Sequence, residues 1–225
     1  MSSRRPRTFY GWVIVLTAAI GLLLGYAPVF VYSFSVFIKS LAQDFHSSRT
    51  SISFAFTLAN LMQSVGAPLV GRLVDRFGAH KVIVPSTVIF GLVLISFKYF
   101  STSLWQLYVF FLLIGFIGTG AAPVPYGIVV SRWFDKRRGL ALGLMMFGIS
   151  IGAILMPPVA QRLIALFGWR TAYAIVGFAV LAISVPIVGI FLKDSPEKMG
   201  LQPDGMTDLK TRSDARTDED RKSVV

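Results

Sequence analysis

Long apolar runs separated by short charged interruptions make up the first 192 residues. Six of these runs approach or exceed the length of one bilayer crossing, about 20 residues at ~1.5 Å rise each. They extend from Trp12 to Ile38, Ile52 to Val70, Val82 to Phe97, Leu104 to Val130, Leu140 to Leu166 and Thr171 to Leu192. Apolar positions are continuous within each run, with no sustained alternation, so the pattern predicts helices rather than barrel strands. The third run is short, and the first, fourth and fifth are long, which predicts tilt or internal breaks. In the fourth, Gly115, Gly118, Gly120, Pro123, Pro125 and Gly127 leave several backbone groups in need of partners. In the second, Asn60, Gln63, Ser64 and Ala67 recur at helical spacing and form one polar stripe. In the first, Tyr26, Phe30, Ser33 and Phe37 share a face, with Tyr32 off it.

Composition supports a membrane protein. Mean hydropathy is +0.67 and only 15% of residues are charged. Asp44, Asp75 and Asp135 lie between runs and the other eight acidic residues come at Asp194 or later, so no run carries a carboxylate. That is the pattern expected from the cost of charge in hydrocarbon. The net charge of +11 comes from short interruptions rather than a basic domain, and nucleic acid is not an expected partner. With no cysteine and no cluster of His or carboxylates in the runs, no enzyme chemistry, cofactor or metal is expected. His46 and His80 are each expected to be solvated.

Six spans put both termini on one side. Arg4, Arg5, Arg7, Arg72, Arg76, Lys81, Arg132, Lys136, Arg137 and Arg138 fall on that side, against Lys39, Arg49, Lys98, Arg162 and Arg170 on the other. The excess of ten over five places both termini in the cytoplasm, with a cell inner membrane as the location. The first run is too long for a signal peptide and is expected to remain as a span. Residues 193–225 hold seven basic and eight acidic residues and few large apolar ones, so a polar, disordered cytoplasmic linker or tail is expected there.

Two of the charged interruptions have a specific residue order. In the first, after span two, Gly71 is expected to permit close approach, Gly78 a positive φ, and Asp75 to accept from helix-start amides. Gly71, Leu73, Asp75, Arg76, Gly78 and Lys81 resemble the G-x-L-x-D-R-x-G-R-[RK]-[RK] loop of the major facilitator superfamily, at the family's own position. Ala79 and His80 stand where the family usually has basic residues. By that resemblance, Asp75 helps latch two halves of a transporter in one state. In the second interruption, Trp133, Phe134, Asp135, Lys136, Arg137, Arg138 and Gly143 are similar to the span-five signature of monocarboxylate carriers and oxalate/formate-type bacterial anion transporters. Tyr10-Gly11-Trp12 and Phe167-Gly168-Trp169-Arg170 resemble the same group. Tyr32 occupies the position of that group's substrate-linked lysine, and Ile114 that of the span-four arginine of proton-coupled drug antiporters.

The resemblance implies an all-α membrane fold. It is a six-transmembrane-helix bundle, the N-terminal half of a major facilitator transporter, built as 3+3 inverted repeats. The implied function is alternating-access transport of small organic anions such as monocarboxylates. The implied partners are a small solute, the lipid bilayer and a second six-helix half, whether C-terminal, split or a second copy. Other open readings are a non-transporting membrane partner or scaffold, and a carrier for a sugar or drug. Residues expected along a substrate path are Tyr26, Phe30, Tyr32, Asn60, Gln63, Pro123 and Tyr126, chosen for polar or helix-breaking character within spans. Each has a structural alternative: aromatics as packing, amides as glue between helices. The glycines Gly139, Gly143, Gly148 and Gly152 are expected on packing faces.

Overall fold

A computed structural model describes residues 9–100, 103–199, 201, 202 and 204 of the 225-residue chain. Span one consists of α1 (Gly11–Leu23), a π-helical turn over Ala27–Tyr32 and α2 (Phe34–Asp44). Pro28 lacks the N–H that a continuous helix would use, and the Ser33 hydroxyl donates to the Pro28 carbonyl at 2.9 Å. Span two is α3 (Arg49–Phe77) and span three is α4 (His80–Phe100). Span four is split into α5 (Leu104–Gly118), a 3-10 turn at Thr119–Ala121 and α6 (Pro123–Trp133).

The helix α7 (Arg138–Ala179) runs on through a π-helical turn at Val180–Ser184 into α8 (Val185–Phe191). These 54 residues are too long for one crossing, and they reverse at Gly168, whose φ of 76° and ψ of 162° are not helical. They therefore form spans five and six. Trp169, just past the reversal, packs beside Phe45 and Phe97, while Tyr10 donates to the carbonyl of Phe191 at the far end. The breaks expected in spans one and four are present. Span five passes Pro157 and Pro158 without interruption, so its length reflects extension toward the reversal.

Two apolar cores stack along the bundle. One lies at the end that carries both basic loops and gathers Ile14, Val74, Ile83, Tyr126, Trp133 and Met145. The other gathers Phe30, Phe37, Phe97, Phe111, Trp169 and Tyr173. There Phe37 stacks on Tyr173 with centroids 3.9 Å apart, joining spans one and six. Close helix contact depends on missing side chains: a methyl on Gly148 would overlap the Ala19 carbonyl, and one on Gly115 the Ala59 carbonyl. The outward surface is strongly apolar, with Leu61, Phe147, Ile154, Leu166 and Phe178 all exposed. Such a surface suits lipid or another apolar partner rather than water.

The two ends are fastened differently. At the end away from the basic loops, helix starts are capped locally. Ser48 accepts from the Ser51 amide at 3.1 Å, and Ser103 and Gln106 form a reciprocal capping box. There Arg170 pairs with Asp44 at 2.5 Å while its guanidinium lies 4.5 Å over the Trp169 ring, whose N–H also donates to Asp44. At the basic end, the start of α4 and the turn before α7 receive carboxylates from beyond span six. Asp194 accepts from the His80 amide at 2.7 Å, and Asp204 accepts from the amides of Asp135, Lys136 and Arg137. The segment expected to be a free tail from residue 193 thus begins with residues bound to the bundle; positions from 205 onward lie outside the described residues. Local composition could not show this, because the binding groups on the bundle are backbone amides.

Candidate functional site

Residues 71–77 continue α3 instead of forming the turn, so Gly71 sits inside a helix, and a methyl placed on it would have nothing within 4 Å. The close approach expected there does not occur. The turn is confined to Gly78 and Ala79; Gly78 has φ 91°, and a Cβ on it would stand 2.7 Å from an Asp194 oxygen. Asp75 is exposed and makes no hydrogen bond or ion pair with another described residue; the amide it was expected to serve goes to Asp194. Leu73, Asp75 and Arg76 are each exposed, with the Arg76 guanidinium 5.3 Å from the Phe77 ring centre. Lys81 is also exposed. His80, expected in solvent, is part-buried, with its Nε2 3.0 Å from the Gly189 carbonyl oxygen.

In the second loop, Phe134 is buried against Phe9 and Trp12, with ring centroids 5.4 and 5.0 Å away. The amides of Asp135, Lys136 and Arg137 surround Asp204, and Arg138 Nε donates to the Ser131 hydroxyl at 3.1 Å. The span-five glycines divide. Gly148 and Gly152 face α1 and the span-one break, where a methyl would strike the Ala19 and Leu23 carbonyls; Gly139 and Gly143 meet nothing within 4 Å. Packing therefore accounts for the first pair only.

The residues expected along a substrate path do not lie together. Tyr26, Phe30 and Tyr126 are within the packed interior, Tyr26 and Phe30 as ring neighbours 5.5 Å apart. Tyr32 is 46% exposed at the end of the π-helical turn. Asn60 donates to the Phe56 carbonyl of its own helix at 2.8 Å. Gln63 and Pro123, by contrast, share a pocket of about 260 Å³ between α3 and the span-four break, which Ser64, Ala67 and Thr119 also line.

The break creates this pocket. Pro123 and Pro125 have no N–H, so α5 cannot run directly into α6. The chain turns once as a 3-10 helix and becomes extended at Ala122, with φ −87° and ψ 168°. Thr119 secures the frayed end, its hydroxyl reaching the Gly115 carbonyl at 3.0 Å and the Gln63 carbonyl across the gap at 3.3 Å. Thr119 is not among the residues expected from the sequence. Its signal there is a hydroxyl inside the glycine-proline cluster.

A second, more open pocket of about 500 Å³ lies between α6 and α7, lined by Gly127, Ser131, Arg132, Arg138 and Leu142. Val124 and Ile128 line both pockets, so the two adjoin along one face of α6. The combined surface runs from amide and hydroxyl groups at mid-span to two guanidiniums at the basic end. The deeper part carries no ionisable side chain among its lining residues. In the sequence, Arg132 stands out only as an orientation charge, and Arg138 as an orientation charge and a member of the span-five signature. Among the described residues no group of three or more His, Cys, Asp or Glu is placed to hold a metal ion.

Comparison with known proteins agrees with this architecture. Residues 18–219 match the family described as Major Facilitator Superfamily. Human monocarboxylate transporter 1 is 30% identical over 176 residues, 78% of this chain and 35% of that protein. The MFS-type transporter pynF of Aspergillus niger is 30% identical over 196 residues, 83% of this chain and 43% of that protein. Mouse monocarboxylate transporter 11 is 31% identical over 171 residues, 76% and 38% respectively. The chain belongs to the major facilitator superfamily and is an integral membrane protein of a transporter family. It spans about half the length, or less, of the curated relatives it matches.

Proposed function

We propose that this chain forms the N-terminal half of an alternating-access carrier for small organic anions of the monocarboxylate type. The observation that carries the reading is the pair of adjoining pockets along α6. Amide and hydroxyl groups at Gln63, Ser64 and Thr119 suit the polar head of a small solute at mid-span. Arg132 and Arg138 supply positive charge where a carboxylate would enter or leave. The names of the relatives point to the same substrate class. A second six-helix body would close the exposed face of α3 and α6 and complete the site, and the exposed Asp75 would meet that body. Both termini would face the cytoplasm across an inner membrane, in keeping with the basic excess at the loop end.

The test is uptake of labelled short-chain monocarboxylates into vesicles holding this chain, alone and together with a second six-span half as a separate polypeptide. Saturable uptake inhibited by other monocarboxylates, and not by a neutral sugar, is expected in at least the paired sample. Arg138→Gln should raise KM for the anion several-fold with a smaller change in kcat. Absence of both uptake and anion binding, with the chain folded and the halves associated, would leave the scaffold reading in its place.

A further inference from the structure

The chain beyond span six does not leave the bundle directly. Its first contact is the Lys193 carbonyl, which accepts from the Trp133 indole N–H at 2.9 Å at the end of span four. The next is Asp194, 7% exposed, whose Oδ1 takes the His80 amide at the start of span three. A tight turn follows at Pro196, with the amides of Met199 and Leu201 donating to its carbonyl at 2.9 and 3.0 Å. The chain then reaches Asp204, whose amide donates to the Trp133 carbonyl at 3.3 Å and whose carboxylate takes three successive amides in the turn just before span five.

Physical reasons for both docking points are on the helices. Span three begins immediately after Gly78 and Ala79, so it has no preceding residue in place to cap it from its own loop. Span five begins after Arg137, which has no side-chain cap of its own. Each start carries the positive end of a helix dipole; the His80 amide is a first-turn donor of span three, whereas the amides of Asp135, Lys136 and Arg137 belong to the non-helical turn that leads into span five. In both loops the local aspartate, Asp75 or Asp135, provides none of these caps; a residue from more than 60 positions away does. Gly78 takes part as well, because a side chain there would strike Asp194.

We propose that Asp194 and Asp204 are positioning residues at the two ends of a strap that fastens the basic-loop ends of spans three, four and five into one body. The strap makes the half move as a unit. Rocking displaces the half against whatever faces it, without shearing the helices that border the α6 pockets. This role does not depend on the identity of the solute.

Amide hydrogen exchange on the full chain in lipid nanodiscs tests it. Asp204→Ala should speed exchange of the amides of Asp135, Lys136 and Arg137 by about fivefold or more, the scale of a lost N-cap, and leave the His80 amide within about twofold. Asp194→Ala should do the reverse. In Asp204→Asn, which keeps an acceptor oxygen, exchange at the span-five start should fall between wild type and Asp204→Ala. As a second readout, trypsin should cleave after Lys136 and Arg137 faster in Asp204→Ala than in the parent chain. Unchanged exchange in both alanine variants would overturn the strap, as would an equal rise at both sites, which would mark general loosening of the bundle.

Discussion

Residues 71–81 and 133–143 each place arginines and lysines around one aspartate, and each leads into a new span. Their structures differ. The first is helical through Phe77 and turns within two residues at Gly78 and Ala79; the second is non-helical from Phe134 to Arg137. The first spends its glycine on the turn itself, with φ 91°. The second has its close-packed glycines further on, at Gly148 and Gly152 against α1. Both nevertheless receive a carboxylate from the strap, the first at the first residue of the new helix and the second in the turn before it. Similar charge patterns thus accompany one shared requirement, an acceptor for backbone amides that lead into a new span, met by two backbone geometries. Motif resemblance identifies where such ends occur. It does not identify which aspartate serves them.

The largest expected effect lies past the second loop. Gly148→Leu should force α1 and α7 apart and destabilise the bundle by about 3 kcal/mol or more, since overpacking against backbone has no cheap relief. Thermal unfolding in detergent, followed by circular dichroism, reads this, and an unchanged midpoint would contradict the packing described. Next, Gly78→Ala should cost about 2 kcal/mol, from a left-handed residue with a side chain and a displaced Asp194. The same melting experiment should show a loss smaller than for Gly148→Leu but clear. Gly71→Ala, in the same motif, should have the opposite sign, stabilising by about 0.5 to 1 kcal/mol because the site is helical and open. Loss of stability there would mean that the helix ends at Val70, as the apolar pattern alone suggested. Smallest of all, Asp75→Asn should shift stability by less than about 0.5 kcal/mol. A large shift would show that Asp75 caps its own loop after all. If a second half docks against Asp75, the variant should change transport rate more than solute affinity.

Fold class was legible to a large degree. Six apolar runs without carboxylates can be read directly, and the helices end within about three residues of them except at Ile38 and Val70, where α2 continues six and α3 seven residues into charged sequence. Charge there marks the edge of the hydrocarbon rather than the end of the helix, and hydropathy cannot separate the two. The candidate site was legible only in part. Gln63 and Pro123 meet, because one is polar and the other breaks a helix. Tyr26, Phe30 and Tyr126 sit in the interior, because an aromatic residue gives the same sequence signal for packing as for a path. Thr119, Arg132 and Arg138 join the pockets through geometry that spacing along one helix does not encode.

By itself, the sequence determined that this chain crosses a membrane as helices, where charge marks the edges of the hydrocarbon, and which superfamily it belongs to. All of these follow from the cost of exposing backbone and charge to hydrocarbon and from short-range order in the loops. Tertiary structure decided which carboxylate meets which helix start, which glycines are in close contact and where the broken span opens a pocket. Those outcomes depend on residues such as Asp194 and His80, 114 positions apart, being brought within hydrogen-bond reach. No local pattern in the chain specifies such a meeting.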